Sequence, residues 1–142
     1  MQKCVVKNLK ETSVLAKKFA KTLKGGEVIL LSGDLGAGKT TFTQSLFKAL
    51  KVKDYVTSPT FTLLKEYHVK KFDLYHFDMY RIENEDEAQE FGIEEYFNKP
   101  NSIVVIEWYE KIAGLIPKNN ILIKIKKINE TEREFEFVYN NN

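Results

Sequence analysis

The sequence predicts an α/β sandwich on a mixed, partly parallel central sheet, closed by a C-terminal β-hairpin. Three observations carry that prediction. The apolar run Glu27-Val28-Ile29-Leu30-Leu31-Ser32 passes through a glycine-rich turn directly into an amphipathic segment, giving the order strand, turn, helix. Ser102-Ile103-Val104-Val105-Ile106-Glu107 is a second apolar run, of the kind found in strands covered on both faces. The chain then ends in two period-two alternations, Ile121 to Ile128 and Arg133 to Val138, as a hairpin requires.

The remaining elements follow in order. Leu9 to Leu23 reads as an amphipathic helix with Leu15, Phe19, Ala20 and Leu23 on one stripe. Asn8, with Glu11 three residues on, resembles a capping box, and Lys24-Gly25-Gly26 stops the helix. After the first apolar strand, Thr41 to Leu50 carries Phe42, Leu46, Phe47 and Leu50 at helical spacing without a proline. Thr60 to Val69 and Phe72 to Tyr80 read as paired strands around Lys70-Lys71. Asn84 and Glu87 cap a short acidic helix that Gly92 ends, and Ile93 to Phe97 adds one more turn. The turn Asn98-Lys99-Pro100-Asn101 leads into the Ser102 strand, and a short helix runs to about Leu115. Asn140-Asn141-Asn142 reads as a frayed tail.

The turn after the first apolar strand carries the chemistry. Gly33-Asp34-Leu35-Gly36-Ala37-Gly38-Lys39-Thr40 satisfies Gly-x-x-x-x-Gly-Lys-[Ser/Thr], the phosphate-binding P-loop. Its glycines let the backbone curl so that successive amide N–H groups point at a phosphate chain. Lys39 is placed for the β- and γ-phosphates, Thr40 for Mg²⁺, and the following helix aims the positive end of its dipole at the same anion. A bare glycine turn has no use for lysine and threonine at those offsets, and strand and helix lie where the motif needs them. The fold class is therefore a P-loop NTPase three-layer sandwich, and the ligand a nucleoside triphosphate.

Composition narrows the class further. In 142 residues, 43% hydrophobic and 30% charged content describe one globular domain spanning residues 1–142, with enough chain for a proper core. A formal charge of +2 makes no demand for DNA, RNA or a membrane surface. The lone Cys4 excludes an internal disulfide and a cysteine-based zinc site. With no secretory signal and no apolar stretch of about 18 residues, the expected location is the cytoplasm.

Phosphoryl transfer also needs an acid for the metal and a group that places water. Two strand ends offer carboxylates, Asp78 after Leu74-Tyr75-His76-Phe77 and Glu107 after Ile103 to Ile106. Spacing does not divide the two roles between them. Thr57-Ser58-Pro59-Thr60 lies where P-loop proteins often keep a γ-phosphate-sensing switch, although Ser-Pro is also plain turn chemistry. Asn98-Lys99-Pro100-Asn101 imitates a guanine-reading Asn-Lys-x-Asp, but its last amide cannot accept the two hydrogen bonds guanine offers a carboxylate. His68 and His76 read as ordinary strand residues, and the lysines at 118, 124, 126 and 127 as a solvated hairpin face.

Several segments together resemble one family. They are the P-loop through Thr41, Ser58-Pro59-Thr60-Phe61-Thr62-Leu63, Tyr75-His76-Phe77-Asp78-Met79-Tyr80-Arg81, Gly92-Ile93-Glu94-Glu95-Tyr96-Phe97 and Val105-Ile106-Glu107-Trp108. In that order they are similar to TsaE (formerly YjeE), a bacterial ATPase of tRNA threonylcarbamoyladenosine (t6A) biosynthesis. The resemblance implies ATP and Mg²⁺, with Lys39 and Glu107 catalytic and the segment Gly33 to Thr41 as the nucleotide cradle. It implies Thr41 near the α-phosphate, Trp108 close to the nucleotide and Thr12 near the adenine. Asp78 becomes the metal-associated aspartate beside Thr40, with Glu107 also at the metal. Ser58-Pro59-Thr60 becomes a switch-like loop. The implied partners are TsaD and TsaB, with tRNA reached through that complex. Where many relatives carry proline after Glu-Trp, this chain has Tyr109-Glu110, which leaves the path after Trp108 open. The rival readings are a small-molecule kinase on the same P-loop and a nucleotide-gated interaction module with negligible turnover.

Overall fold

A computed structural model of the chain describes residues 2–34, 36–59 and 62–141. These residues form a seven-stranded sheet in the order β1-β7-β6-β2-β5-β4-β3. The strands are β1 (Gln2–Val6), β2 (Val28–Ser32), β3 (Leu64–His68), β4 (Asp73–Asp78), β5 (Ser102–Glu107), β6 (Asn120–Lys127) and β7 (Arg133–Asn140). The helices are α1 (Leu9–Ala20), α2 (Lys39–Ala49) and α3 (Glu85–Glu90), with 3-10 segments at Ile93–Tyr96 and Tyr109–Leu115.

The middle of the sheet is parallel and its margins antiparallel. β2 pairs in parallel with β5 and β6, and β5 with β4. β3 and β7 add antiparallel strands at either side, and β1 closes the β7 edge. In β2, Val28, Ile29, Leu30 and Leu31 are all buried, because helices cover both faces. Ile29 and Leu31 share one apolar cluster with Phe19 of α1 and Phe42, Leu46 and Phe47 of α2. Val28 and Leu30 share the other with Ala88 of α3, Ile93 and Ile112. This is the three-layer sandwich expected from the sequence.

Both expected caps form. The Asn8 Oδ1 accepts the Glu11 N–H at 2.9 Å while the Glu11 carboxylate accepts the Lys7 N–H at 2.8 Å. Asn84 and Glu87 repeat the arrangement, with Glu87 reaching the Glu83 N–H. In each box the acid reaches one residue further back than the cap's own amide. α1 ends at Ala20 and not at Leu23, because the last turn tightens: the Thr22 N–H and hydroxyl both donate to the Phe19 carbonyl, and Leu23 N–H to Ala20. Leu23 is buried all the same.

Further expectations change, and the strand expected from Thr60 begins only at Leu64. β1 adds a strand that the sequence reading omitted; only Val6 of it is fully buried, so it shows little alternation to detect. Asn140 is the last residue of β7, opposite Asn120 and bonded to it side chain to side chain at 2.9 Å, so it does not fray. Asn141 follows the strand, and Asn142 lies outside the described residues.

Phe42 is fully buried, and its ring lies within 6.4 Å of those of Phe19, Phe135 and Phe137. Phe42→Ala should therefore cost about 3–5 kcal/mol of unfolding free energy. Val14→Ala, on the half-exposed side of α1, should stay within about 0.5 kcal/mol. Urea denaturation followed by circular dichroism checks both.

Candidate functional site

The site lies at the carboxyl ends of the parallel strands, where open α/β sheets hold ligands. β2 ends at Ser32 and the chain enters the glycine turn. Gly33 presses against β6: a Cβ there would stand 2.6 Å from the Ile125 carbonyl oxygen and 3.2 Å from the Ala37 Cβ. The Ala37 N–H closes the turn on the Asp34 carbonyl at 2.9 Å. Gly38, at φ +110°, is the N-cap of α2, and no side chain caps the helix there. Its backbone conformation is one that a side chain would strain. The first amides of α2 are thus left for a ligand.

Lys39, Thr40 and Thr41 open α2 and line a cleft of about 370 Å³ together with Asp78, Glu107 and Trp108. The sheet register brings the acids together. β4 and β5 run parallel with Asp78 beside Glu107, and β2 places Leu31 beside Glu107 on the other side. Asp78 is only 3% exposed and Glu107 only 4%. Asp78 lies on a buried strand, although its sequence reads as the more polar of the two. Its Oδ1 accepts the Tyr80 N–H at 2.9 Å, and its own N–H donates to the Leu63 carbonyl.

Two strained residues shape the rim. Leu63 sits at φ 67° and donates to the Pro59 carbonyl at 2.7 Å, which ties the Ser58-Pro59 loop down against Asp78. Ser58 lines the cleft, whereas Thr60 and Phe61 of the expected switch lie outside the described residues. Trp108 has φ 57° and ψ 41°, so the chain turns sharply after Glu107 and enters the 3-10 segment from Tyr109. That settles the path after Trp108. The turn lays the indole against Tyr80, with ring centroids 5.0 Å apart, and under the Lys39 ammonium at 4.2 Å. Burial, with a smaller push from Glu110, raises the neighbouring Tyr109 phenol above its ordinary value.

A second cleft of about 530 Å³ adjoins the first and shares Gly38, Thr41 and Arg133 with it. Thr12 and Ala37 line this one. Of the candidate residues, Gly33 and Asp34 line neither cleft and act through the backbone of the turn, and Leu35 lies outside the described residues.

Sequence reasoning missed two residues here. Arg133 opens β7, yet its Nε–H donates to the Ala37 carbonyl at 2.9 Å and its Nη1 to the Asn129 and Glu132 carbonyls. No local pattern could join residues 96 apart. His76, expected to be an ordinary strand residue, is instead fully buried with its Nε2 2.7 Å from Glu107 Oε2. Alternation along β4 offered the signal, since residues 74, 76 and 78 must share a face. His68 is an exposed strand residue beside Asp73.

The decoys also find their places. Asn98 to Asn101 precede β5, with Gly26 N–H donating to Ser102, at the opposite end of the sheet from the P-loop. Lys124 and Lys126 of β6 are exposed and stand opposite Glu136 and Glu134 of β7, so the hairpin face carries both signs.

Comparison with known proteins decides the family. The model for "Threonylcarbamoyl adenosine biosynthesis protein TsaE" matches residues 6–135. The chain belongs to the TsaE family. It is 42% identical over 130 residues to the tRNA threonylcarbamoyladenosine biosynthesis protein TsaE of Bacillus subtilis, covering 92% of this chain and 80% of that protein. The TsaE protein of Aquifex aeolicus is 38% identical over 136 residues, covering 94% and 93%. The crystal structure of Bacillus subtilis YdiB superposes with a TM-score of 0.84 at 36% identity, over 99% of this chain and 86% of that one. Among the described residues no helix is long and apolar enough to cross a membrane.

The close approach at Gly33 makes a simple test of the loop's seat on the sheet. Gly33→Ala should destabilise the TsaE-family fold by about 1–3 kcal/mol, since the added methyl meets backbone that cannot rotate away. Thermal unfolding monitored by circular dichroism reads this out.

Proposed function

We propose that this chain is a Mg²⁺-dependent ATPase acting in t6A modification of tRNA, with hydrolysis driving or resetting a TsaB–TsaD threonylcarbamoyl-transfer complex in the cytoplasm. The observation that carries the reading is the meeting of Lys39 and Thr40 with two buried strand-end acids in one cleft, in a member of the TsaE family. Neither acid is explained by solvent exposure, and burying a carboxylate is costly unless a partner or cation compensates it.

The donor set suits magnesium. Among the described residues no group of three His, Cys, Asp or Glu side chains is placed to cage a metal. Mg²⁺ is usually held by one or two carboxylates with water and substrate phosphate, so Thr40 and Asp78, with Glu107 nearby, are the appropriate kind of site. When bound, the ion would offset negative charge on the phosphates.

The residues divide the work as follows. The amides from Gly36 to Thr41 cradle the phosphates, and Lys39 offsets the charge that grows on the bridging and γ oxygens. Lys39 is only 7% exposed, so its charge acts in a poorly screened cleft. Thr40 and Asp78 would hold the metal. Glu107 orients the water that attacks the γ-phosphorus as the bond to the bridging oxygen breaks, a role suited to an anchored buried carboxylate. Thr41 lies by the α-phosphate, and the second cleft, with Thr12, receives the adenine. Trp108 backs the nucleotide.

Two substitutions test the assignment. Lys39→Ala should abolish measurable ATP binding or lower turnover by roughly a hundredfold or more. Glu107→Ala should keep the affinity for ATP while turnover falls by about a hundredfold or more. Turnover of the unaltered chain should be slow alone and rise with purified TsaB and TsaD. Calorimetric titration and a phosphate-release assay give both readings, and loss of binding together with turnover in Glu107→Ala would sink the role given to Glu107.

A further inference from the structure

We propose that His76 is the positioning residue for Glu107, fixing the carboxylate by one oxygen so that the other serves the attacking water. The inference rests on the role given to Glu107 above and concerns how that role is made possible.

The geometry begins with the sheet. Alternation along β4 puts His76 on the same face as Asp78, and register with β5 sets His76 beside Val105, two residues before Glu107. The Glu107 side chain comes back diagonally onto the ring, with Nε2 and Oε2 2.7 Å apart. That distance is within ordinary hydrogen-bond reach. His76 has no solvent-exposed surface and is not among the residues lining the cleft, whereas Glu107 does line it. Oε2 is therefore the oxygen held in the interior, and Oε1 is left for the cleft. The role given to Glu107 above needs an ionised carboxylate, which only accepts, and in the proposed arrangement Nε2 carries the shared hydrogen.

The other ring nitrogen argues that this bond is the reason for a histidine. Nδ1 is buried and has no hydrogen-bond partner among the described residues. A histidine kept for packing would satisfy both nitrogens or give way to an apolar residue, because an unpaired buried polar atom is unfavourable. Phe47 of α2 meets the ring edge-on at 6.1 Å between centroids. The fold thus tolerates an orphaned nitrogen where the opposite nitrogen grips the acid. Glutamate has three side-chain torsions, and an unanchored carboxylate would sample several orientations at the end of β5.

The test compares His76→Phe, which keeps a planar ring without a donor, with His76→Gln, whose amide nitrogen can stand near the Nε2 position. Glu107→Gln is the control, and all are assayed as the full chain with TsaB and TsaD. His76→Phe should lower kcat roughly tenfold to a hundredfold, the usual cost of losing an orienting partner. KM for ATP and the dissociation constant of a non-hydrolysable analogue should stay within about twofold, and His76→Gln should recover most of kcat. An unchanged kcat in His76→Phe, or equal losses in both variants, overturns the proposal. If Glu107→Gln is inactive while His76→Phe is active, only the His76 proposal falls; full turnover in Glu107→Gln removes the role of Glu107 itself and the proposal with it. Should the phenylalanine variant fail to fold, long-range ¹H–¹⁵N correlation on the unaltered chain decides: an Nε2–H ring is expected, and an Nδ1–H ring overturns the proposal.

Discussion

Strand β2 can be satisfied only at the centre of a parallel sheet. Four consecutive buried apolar residues leave it no face for water, and parallel pairing to both β5 and β6 leaves it no free edge. Parallel neighbours cannot be joined by tight turns, so crossovers must cover both faces, and α2 and α3 lie on those crossovers. The same pairing sends the carboxyl ends of β2, β4 and β5 to one edge of the molecule. P-loop, Asp78 and Glu107 meet there because of that constraint. Slipping β5 by one residue against β2 would turn Glu107 to the far face, among Val28, Leu30 and Phe77, so the register that fills the core also sets the site.

A cleft with a buried cation and two buried acids has to be held open against collapse and against neutralisation. The molecule does this with fixed partners for each charge. Lys39 lies over the Trp108 indole, Glu107 is gripped by His76, and Asp78 accepts the Tyr80 amide. Trp108 and Leu63 reach their places through left-handed backbone, which costs on the order of 1 kcal/mol or more for each residue. Lys111, whose ammonium bonds the Tyr80 and Ile82 carbonyls, fixes the turn that follows Asp78. Each of these groups thus has a fixed neighbour that holds its orientation at the cleft.

How much of this was legible in the sequence depends on the range of the interaction. Features set within a few residues were read correctly: the P-loop spacing, both Asn/Glu caps, the strand Ser102 to Glu107, and the terminal hairpin. The early end of α1 was not, because Thr22 competes for a backbone carbonyl in a way the apolar stripe conceals. Of the candidate site, the glycine turn and the two strand-end acids could be named from short motifs, but the partners that hold them, His76 and Arg133, could not. The partner of Glu107 stands 31 residues away on another strand and depends on the β4–β5 register. Alternation along β4 puts residue 76 on the face of Asp78, but only the pairing of β4 with β5 sets what it meets there.

β1 bears on the candidate site as well as on topology. β1 pairs with β7 through Val6 opposite Arg133, so the N-terminal strand fixes the strand end from which the Arg133 side chain departs. Arg133 then bonds the Ala37 carbonyl inside the P-loop and stands between the two clefts. Asn129 accepts the Thr131 and Glu132 amides, and its carbonyl accepts from Arg133, so the β6–β7 turn braces the guanidinium from behind. A phosphate loop needs flexible glycines to bend around its ligand, yet it must not lose its shape. Here Ile125 on β6 blocks movement at Gly33, and Arg133 on β7 blocks it at Ala37. The antiparallel half of the sheet, which contributes no acid to the cleft, thus holds the glycine-rich turn at Gly33 and at Ala37.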